Sequence, residues 1–320
     1  MPASHVTPTL PRGRGPLSSA VSGALLGRSA LPDSAMADLA DPFGEDLQLA
    51  LYTCYELHYR GFGGVDPAWE WDTSLLSVRA SLEDRFLTAL RRDAAARQPL
   101  AGLLAELVTE PADPGGVPRF LAERGTLDDL RAYARQRSLY HLKEADPHAW
   151  VLPRLTGRAK AAMAAVEFDE FGGGRADRVH ARLFADLMTD LGLDSRYGHY
   201  LDCGYPEMLA LVNAMSLFGL HRRMRGALVG HFAAVEITSS PASRHLARAM
   251  ARTGAGPAAE HFYDEHVEAD AVHEQIVRNE VIDGLLDEEP RLEPDIAFGI
   301  AATSFLEDRL GRRFLTDRGA

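Results

Sequence analysis

The chain has 320 residues, 46% of them hydrophobic and 25% charged, an ordinary globular composition with room for one large domain or two smaller ones. Its net charge of −12 and isoelectric point of 5.5 exclude a broad basic surface, and with it the usual means of holding nucleic acid or anionic lipid. No apolar run approaches the roughly 20 residues of a membrane span.

Residues 1–33 are rich in Pro, Gly, Ser and Arg and hold no acid before Asp33. The apolar patch at 19–26 is weak for a signal peptide. We expect residues 1–35 to form a partly ordered arm that wraps a single domain of residues 36–320, with Met36 as an alternative translation start. Apolar residues at helical spacing then predict helices over 47–59, 75–92 and 100–108, the last stopped by Glu110-Pro111 and a turn at 113–116. Thr126 is a good N-cap for a helix over 127–140. Further helices are expected over 155–170, 177–191, 206–218, 220–237, 242–253, 258–285 and 296–314. Strand-type alternation and internal repeats are lacking, so the fold class is all-α, best built as a helical bundle. Cys54 and Cys203 make neither a C-x-x-C pair nor a disulfide framework, which fits a reducing cytoplasm, and both read as small buried hydrophobes.

The most informative pattern is His266-x-x-x-Asp270-x-x-His273. On a helix, residues three, four and seven apart share a face, so two imidazoles and one carboxylate point the same way. That donor set suits a first-row metal such as iron or manganese and is too poor in thiolate for a structural zinc site. Read blandly, it is a solvated face, since Asp264, Glu265, Glu268 and Glu274 surround it. Glu236 is a carboxylate in a mostly apolar helix, and such groups are rare unless paired or coordinated. Alternatively it marks a helix end before Thr238-Ser239-Ser240-Pro241. Glu170 and His180 flank Gly172-Gly173-Gly174. A helix distortion of the π-bulge kind there would bring them to one centre; otherwise the glycines form a loop and His180 opens the next helix. Glu167 and Asp177 are reserve ligands. His231 reads as structural. Glu56 and His58, two apart on a helix, read as packing and hydrogen bonding with Asp66, Trp69 and Trp71.

Taken together, these residues resemble the heme-oxygenase-like diiron oxidases, often labelled iron-containing redox enzymes. The likeness covers most of the chain. It includes Tyr55-Glu56-Leu57-His58-Tyr59-Arg60-Gly61-Phe62, Trp69-Glu70-Trp71-Asp72, Leu142-Lys143-Glu144-Ala145-Asp146-Pro147-His148 and Asp169 to Arg175 with His180 to Phe184. The segment from His266 to His273 is the most specific match. The resemblance implies a heme-oxygenase-like bundle of about seven core helices. The implied metal ligands are Glu170 and His180, then Glu236, then His266, Asp270 and His273; some members have a shorter Glu-to-His spacing than the ten residues here. It also implies two Fe(II) ions, or Mn, with O2 as co-substrate.

The resulting expectation is a cytoplasmic O2-dependent non-heme diiron oxidase or oxygenase. Its substrate would be small and amino-acid-like or an amine, with an external electron donor and a homodimer both possible. Arg175, Arg178 and Arg182 either face a substrate carboxylate or make surface salt bridges. The alternatives are a cofactor-free enzyme resembling thiaminase-II or quinone-cofactor synthases, and a non-enzymatic binding protein on the same fold. The full ligand set argues against both. A ferritin-like protein would need paired Glu-x-x-His motifs.

Overall fold

Apolar residues at helical spacing draw most of the chain into helices, and among the described residues there is no strand. The computed structural model describes residues 7–109 and 116–320. The expected stop at Glu110-Pro111 and turn over 113–115 lie outside the described residues. In chain order the helices are α1 (Pro16–Leu25), α2 (Ser34–Leu39), α3 (Glu45–Glu56), α4 (Thr73–Asp93), α5 (Leu100–Val108), α6 (Val117–Glu123), α7 (Leu127–His141) and α8 (Asp146–Ala149). Then follow α9 (Gly157–Glu170), α10 (His180–Asp190), α11 (Pro206–Leu220), α12 (Arg225–Thr253), α13 (Pro257–Ile276), α14 (Asp283–Glu288) and α15 (Glu293–Asp317).

Local chemistry sets several ends. Thr126 and Asp129 form a capping box at the start of α7, and Asp72 accepts from Ser74 and Leu75 at the start of α4. Gly254, with φ 66, ends α12 in the left-handed conformation that glycine adopts freely, and Pro257 opens α13. The arm is partly helical: α1 packs on α3, and Asp46 accepts from the backbone of Leu17 (3.0 Å) and Ser18 (2.8 Å). Arg12 and Arg14 tie the preceding segment to the 201–204 turn.

The long α12 is the central element, packed most extensively on α13 and α15. A side chain on Gly230 would run into the carbonyl of Ile296, and one on Gly299 into that of Ala227; the two glycines let α12 and α15 approach closely. Two apolar cores meet along α12. One gathers α3, α11 and α15 around residues 227–237, and the other gathers α7, α10 and α13 around 246–250. Glu236 stands where the helix passes from one to the other.

Two sequence expectations need correction here. Residues 238–241 do not end a helix, because α12 continues through Pro241. The Thr238 hydroxyl turns back on the carbonyl of Ala234 (2.7 Å) and Ser240 reaches Val267 on α13 (3.2 Å), so these polar side chains are satisfied within the packed bundle. Flanking helices hold the segment where proline alone would favour a break. Cys54 is buried, its thiol pushed up to about 12 by burial, but Cys203 is exposed on a short turn. No helix among the described residues is long and apolar enough to cross a membrane.

Candidate metal centre

All six sequence-selected residues meet in the interior, together with a seventh, Glu144. They form two groups, Glu144 with His180 and His266, and Glu170 with Glu236, Asp270 and His273. Within each group the potential ligand atoms lie within 4.8 Å of one another, and all seven residues are buried. Four stretches of chain carry them besides α13: the end of α9 (Glu170), the first residue of α10 (His180), the middle of α12 (Glu236) and the turn after α7 (Glu144). His266, Asp270 and His273 share one face of α13, as their spacing requires.

Glu170 faces both groups. One of its oxygens lies 2.8 Å from His180 Nδ1 and the other 3.7 Å from His273 Nδ1. His273 Nδ1 also lies 3.2 Å from Glu236 and 3.6 Å from Asp270. His266 uses Nδ1 on the carbonyl of Phe262 (2.7 Å), which leaves Nε2 toward Glu144 at 3.8 Å. At that distance the pair attracts as charges and does not hydrogen-bond. His141 fixes the other oxygen of Glu144 at 2.8 Å.

Four buried atoms here lack a hydrogen-bond partner: Glu144 Oε2, His180 Nδ1, His266 Nε2 and Asp270 Oδ2. Buried polar atoms without partners are uncommon and call for an explanation. His180 and Glu170 are close enough to bond but wrongly angled, as expected of donor atoms aimed at a shared third point. Cations fit this donor set.

Crowding shows in the proton affinities. Burial would lower both His266 and His273, but the carboxylates more than offset it. Glu144 chiefly raises His266 to about 10, and Asp270 and Glu236 raise His273 to about 11. His180 is raised by Glu170 against the same burial. Glu236 is pushed up to about 8, first by burial and then by Asp270 and Glu170, with His273 pulling the other way. Glu144 lies well below the usual carboxylate range, since His141 and His266 overcome its burial. Cations bound here would compete with these protons.

The triple glycine carries no π-bulge. Gly172, Gly173 and Gly174 all have positive φ (74, 60 and 79), and this loop returns the chain so that His180 opens a new helix beside Glu170. A π-helical stretch does occur, at Val277–Ile282, just beyond His273. The reserve ligand Asp177 is exposed and paired with Arg175, away from the cluster. Glu167 is buried one turn before Glu170, outside both groups, with neither oxygen partnered; burial, then Glu170 and Glu236, push it up to about 9. His231 binds Thr303 at 2.8 Å and takes no part in either group.

Sequence reasoning did not include Glu144 among the candidate ligands. Glu144 lies in the turn directly before Ala145, the non-glycine residue with positive φ (74) among those described, and Lys143 and Glu144 join different clusters. Lys143 Nζ lies 3.0 Å from Glu56, both groups almost wholly buried, and Tyr197 donates to both Glu56 oxygens at 2.7 and 2.8 Å. Glu56 therefore has partners other than those expected. His58 does meet Glu70 (3.2 Å) and the Trp71 ring (4.9 Å), while Asp66 caps the short helix at Pro67–Trp71. The one signal for Glu144 was its place in a charged run directly after an amphipathic helix and before a proline.

Three cavities adjoin the cluster; the one of about 420 Å³ reaches Asp270 beside Ile237, Ser240 and Glu274. Another of about 320 Å³ is lined by Asp169, Gly172, Arg178, His180, Glu265 and Glu268. The largest of the three, of about 660 Å³, reaches Glu144 and His266 from the α7, α12, α13 and α15 side.

Residues 131–308, more than half of the chain, match the family described as iron-containing redox enzymes. The strand-free helical architecture is consistent with a heme-oxygenase-like fold. No curated protein matches the chain.

Proposed function

Since its match places the chain in the iron-containing redox enzyme family, we propose that it is an O2-dependent non-heme diiron oxidase or oxygenase acting on a small molecule. The observation that carries this reading is the pair of buried donor groups flanking Glu170, with partnerless atoms in both. Glu144, Glu170, Glu236 and Asp270 bring four negative charges when ionised, which two divalent cations neutralise and one does not. Glu144, His180 and His266 would hold one ion, and Glu236, Asp270 and His273 the other, with one Glu170 oxygen toward each. Two ferrous ions so held supply the electrons and open positions for dioxygen chemistry, with manganese as the alternative metal.

The remaining roles belong to the chain. His141 orients Glu144, and the Phe262 carbonyl fixes His266 with Nε2 facing inward. Asp169 stands 3.5 Å from His273 Nε2 and steadies that ring. Burial of all seven groups limits their contact with solvent. A substrate would find its polar partners in the largest of the three cavities, because Arg175, Arg178 and Arg182 are engaged by Asp177, Glu265 and Asp186. An external electron donor completes the scheme wherever the substrate does not supply all the electrons.

Anaerobic Fe(II) titration tests the reading. Binding should saturate near two ions per chain, and mixing with O2 should then oxidise the bound iron. A plateau at zero iron in folded protein would refute it.

A further inference from the structure

The largest of the three cavities is lined by polar groups besides Glu144 and His266. Tyr263 is 3% exposed and lies three residues before His266 on α13. Its hydroxyl lines the cavity and has no hydrogen-bond partner. Arg137 lines the same cavity from α7. Two of its nitrogens bind Glu307 at 2.7 Å each, and its Nε is buried without a partner. Leaving such groups unpaired costs about as much as a lost hydrogen bond, unless something pairs them.

The chemistry of these two groups is specific. Arginine Nε–H only donates, and a tyrosine hydroxyl can donate. Two unpartnered donors lining one cavity favour an acceptor. Glu307 already balances the Arg137 charge, so the pair does not require an anion. The rest of the wall is largely apolar, with Met215, Leu246, Phe262 and Phe314 among its residues. At roughly 30 Å³ per non-hydrogen atom, about 660 Å³ holds on the order of twenty such atoms, more than a small free amino acid needs.

We propose that this cavity binds a substrate with an extended apolar body and a carbonyl-type oxygen held by Tyr263 and Arg137. The proposal rests on the diiron reading only for where the reaction occurs; the subsite itself is defined by Tyr263 and Arg137. Amide and carboxylate share the required acceptor and are the two sources to separate.

The test is calorimetric titration of the iron-loaded protein and its Tyr263→Phe variant with octanamide, octanoate and octylamine, with the iron content of each sample measured. Tyr263→Phe removes a hydroxyl that no protein group uses, so folding and iron content should be unchanged. Octanamide, octanoate or both should bind, and weaken by about 5–10-fold in the variant. Octylamine, which at neutral pH has no acceptor, should bind at least about tenfold more weakly and be insensitive to the change. The ratio of octanamide to octanoate affinity identifies the source of the acceptor. In a second variant, Ala242→Trp, a half-buried wall residue is enlarged to fill the cavity, and all probe binding should be lost. Octylamine binding as well as octanamide, unchanged affinities in Tyr263→Phe, or undiminished binding in Ala242→Trp would each overturn the subsite. If iron loads while the subsite test fails, the diiron reading stands alone. If Tyr263 controls probe binding in protein that takes up no iron, the subsite stands and the diiron reading falls.

Discussion

Replacing Glu167 by glutamine should change how stability depends on pH, by an amount the structure sets. Glu167 is 2% exposed, and both of its oxygens lack partners. Burial first, then Glu170, Glu236 and Asp146, push its pKa from 4.5 up to about 9. A carboxyl raised in this way contributes stability fully present below its unfolded pKa and lost as pH rises through its folded pKa. Between about pH 5 and pH 8 the folded protein keeps a proton that the unfolded chain has released. Stability therefore falls by about 1.4 kcal/mol per pH unit, or roughly 4 kcal/mol across the interval. Glutamine is neutral throughout and lacks that slope. Its unsatisfied amide costs about 1–3 kcal/mol at any pH, so the comparison is between slopes and not absolute values. Urea unfolding of chelator-treated wild type and Glu167→Gln at the two pH values measures the difference. The variant should gain about 4 kcal/mol relative to wild type from the lower pH to the higher. Parallel pH dependence in the two proteins would show that Glu167 is ionised in the fold, and would refute the reasoning.

Three further outcomes are expected. His266→Ala, Asp270→Ala and Glu236→Ala should each lose iron and oxygen reactivity while keeping wild-type circular dichroism, because apolar helix faces and not these ligands hold the bundle together; His231→Ala should keep its iron and lose about 1 kcal/mol for the Thr303 bond, besides packing. Lys143→Met should destabilise the protein by roughly 3–5 kcal/mol in denaturant melts, since it strands a buried Glu56 with Tyr197 and without its cation. Hydrogen exchange in α13 should slow when metal is added, because cations relieve the repulsion among Asp270, Glu170 and Glu236; equal protection with and without metal would place the ions elsewhere.

The helices were legible in the sequence wherever apolar spacing and end signals agreed. Thr126 announced α7, and 100–108 was read with the boundaries that Leu100–Val108 shows. Reading failed where tertiary contacts overruled local preference. Thr238-Ser239-Ser240-Pro241 has the composition of a helix end, yet α13 and α15 packed along α12 keep it helical. α1 went unread because serines and a glycine interrupt its apolar residues, and its first turn depends on Asp46, almost thirty residues further on. Cys203 was misplaced because residue type gives only an average burial, and a surface turn exposes it.

The site divides along the same line. His266, Asp270 and His273 were legible as a face because one helix repeat relates them, whereas Glu144 has no such register with any other member. It stands in the turn after α7, directly before Ala145, whose positive φ costs a residue with a side chain on the order of 1–3 kcal/mol. That conformation is held by the two residues before Ala145: Lys143 is committed to Glu56 on α3, and Glu144 to His141 and His266. The buried Lys143–Glu56 pair is therefore more than a stabiliser of the fold. Because Lys143 directly precedes Glu144 in this turn, loss of Lys143 should loosen Glu144 and weaken iron at the Glu144–His180–His266 position before the Glu236–Asp270–His273 position. Iron titration of Lys143→Met, with occupancy falling at one of the two positions while the helical content stays, is the outcome this linkage requires; two unperturbed irons would show that Glu144 is positioned by His141 alone.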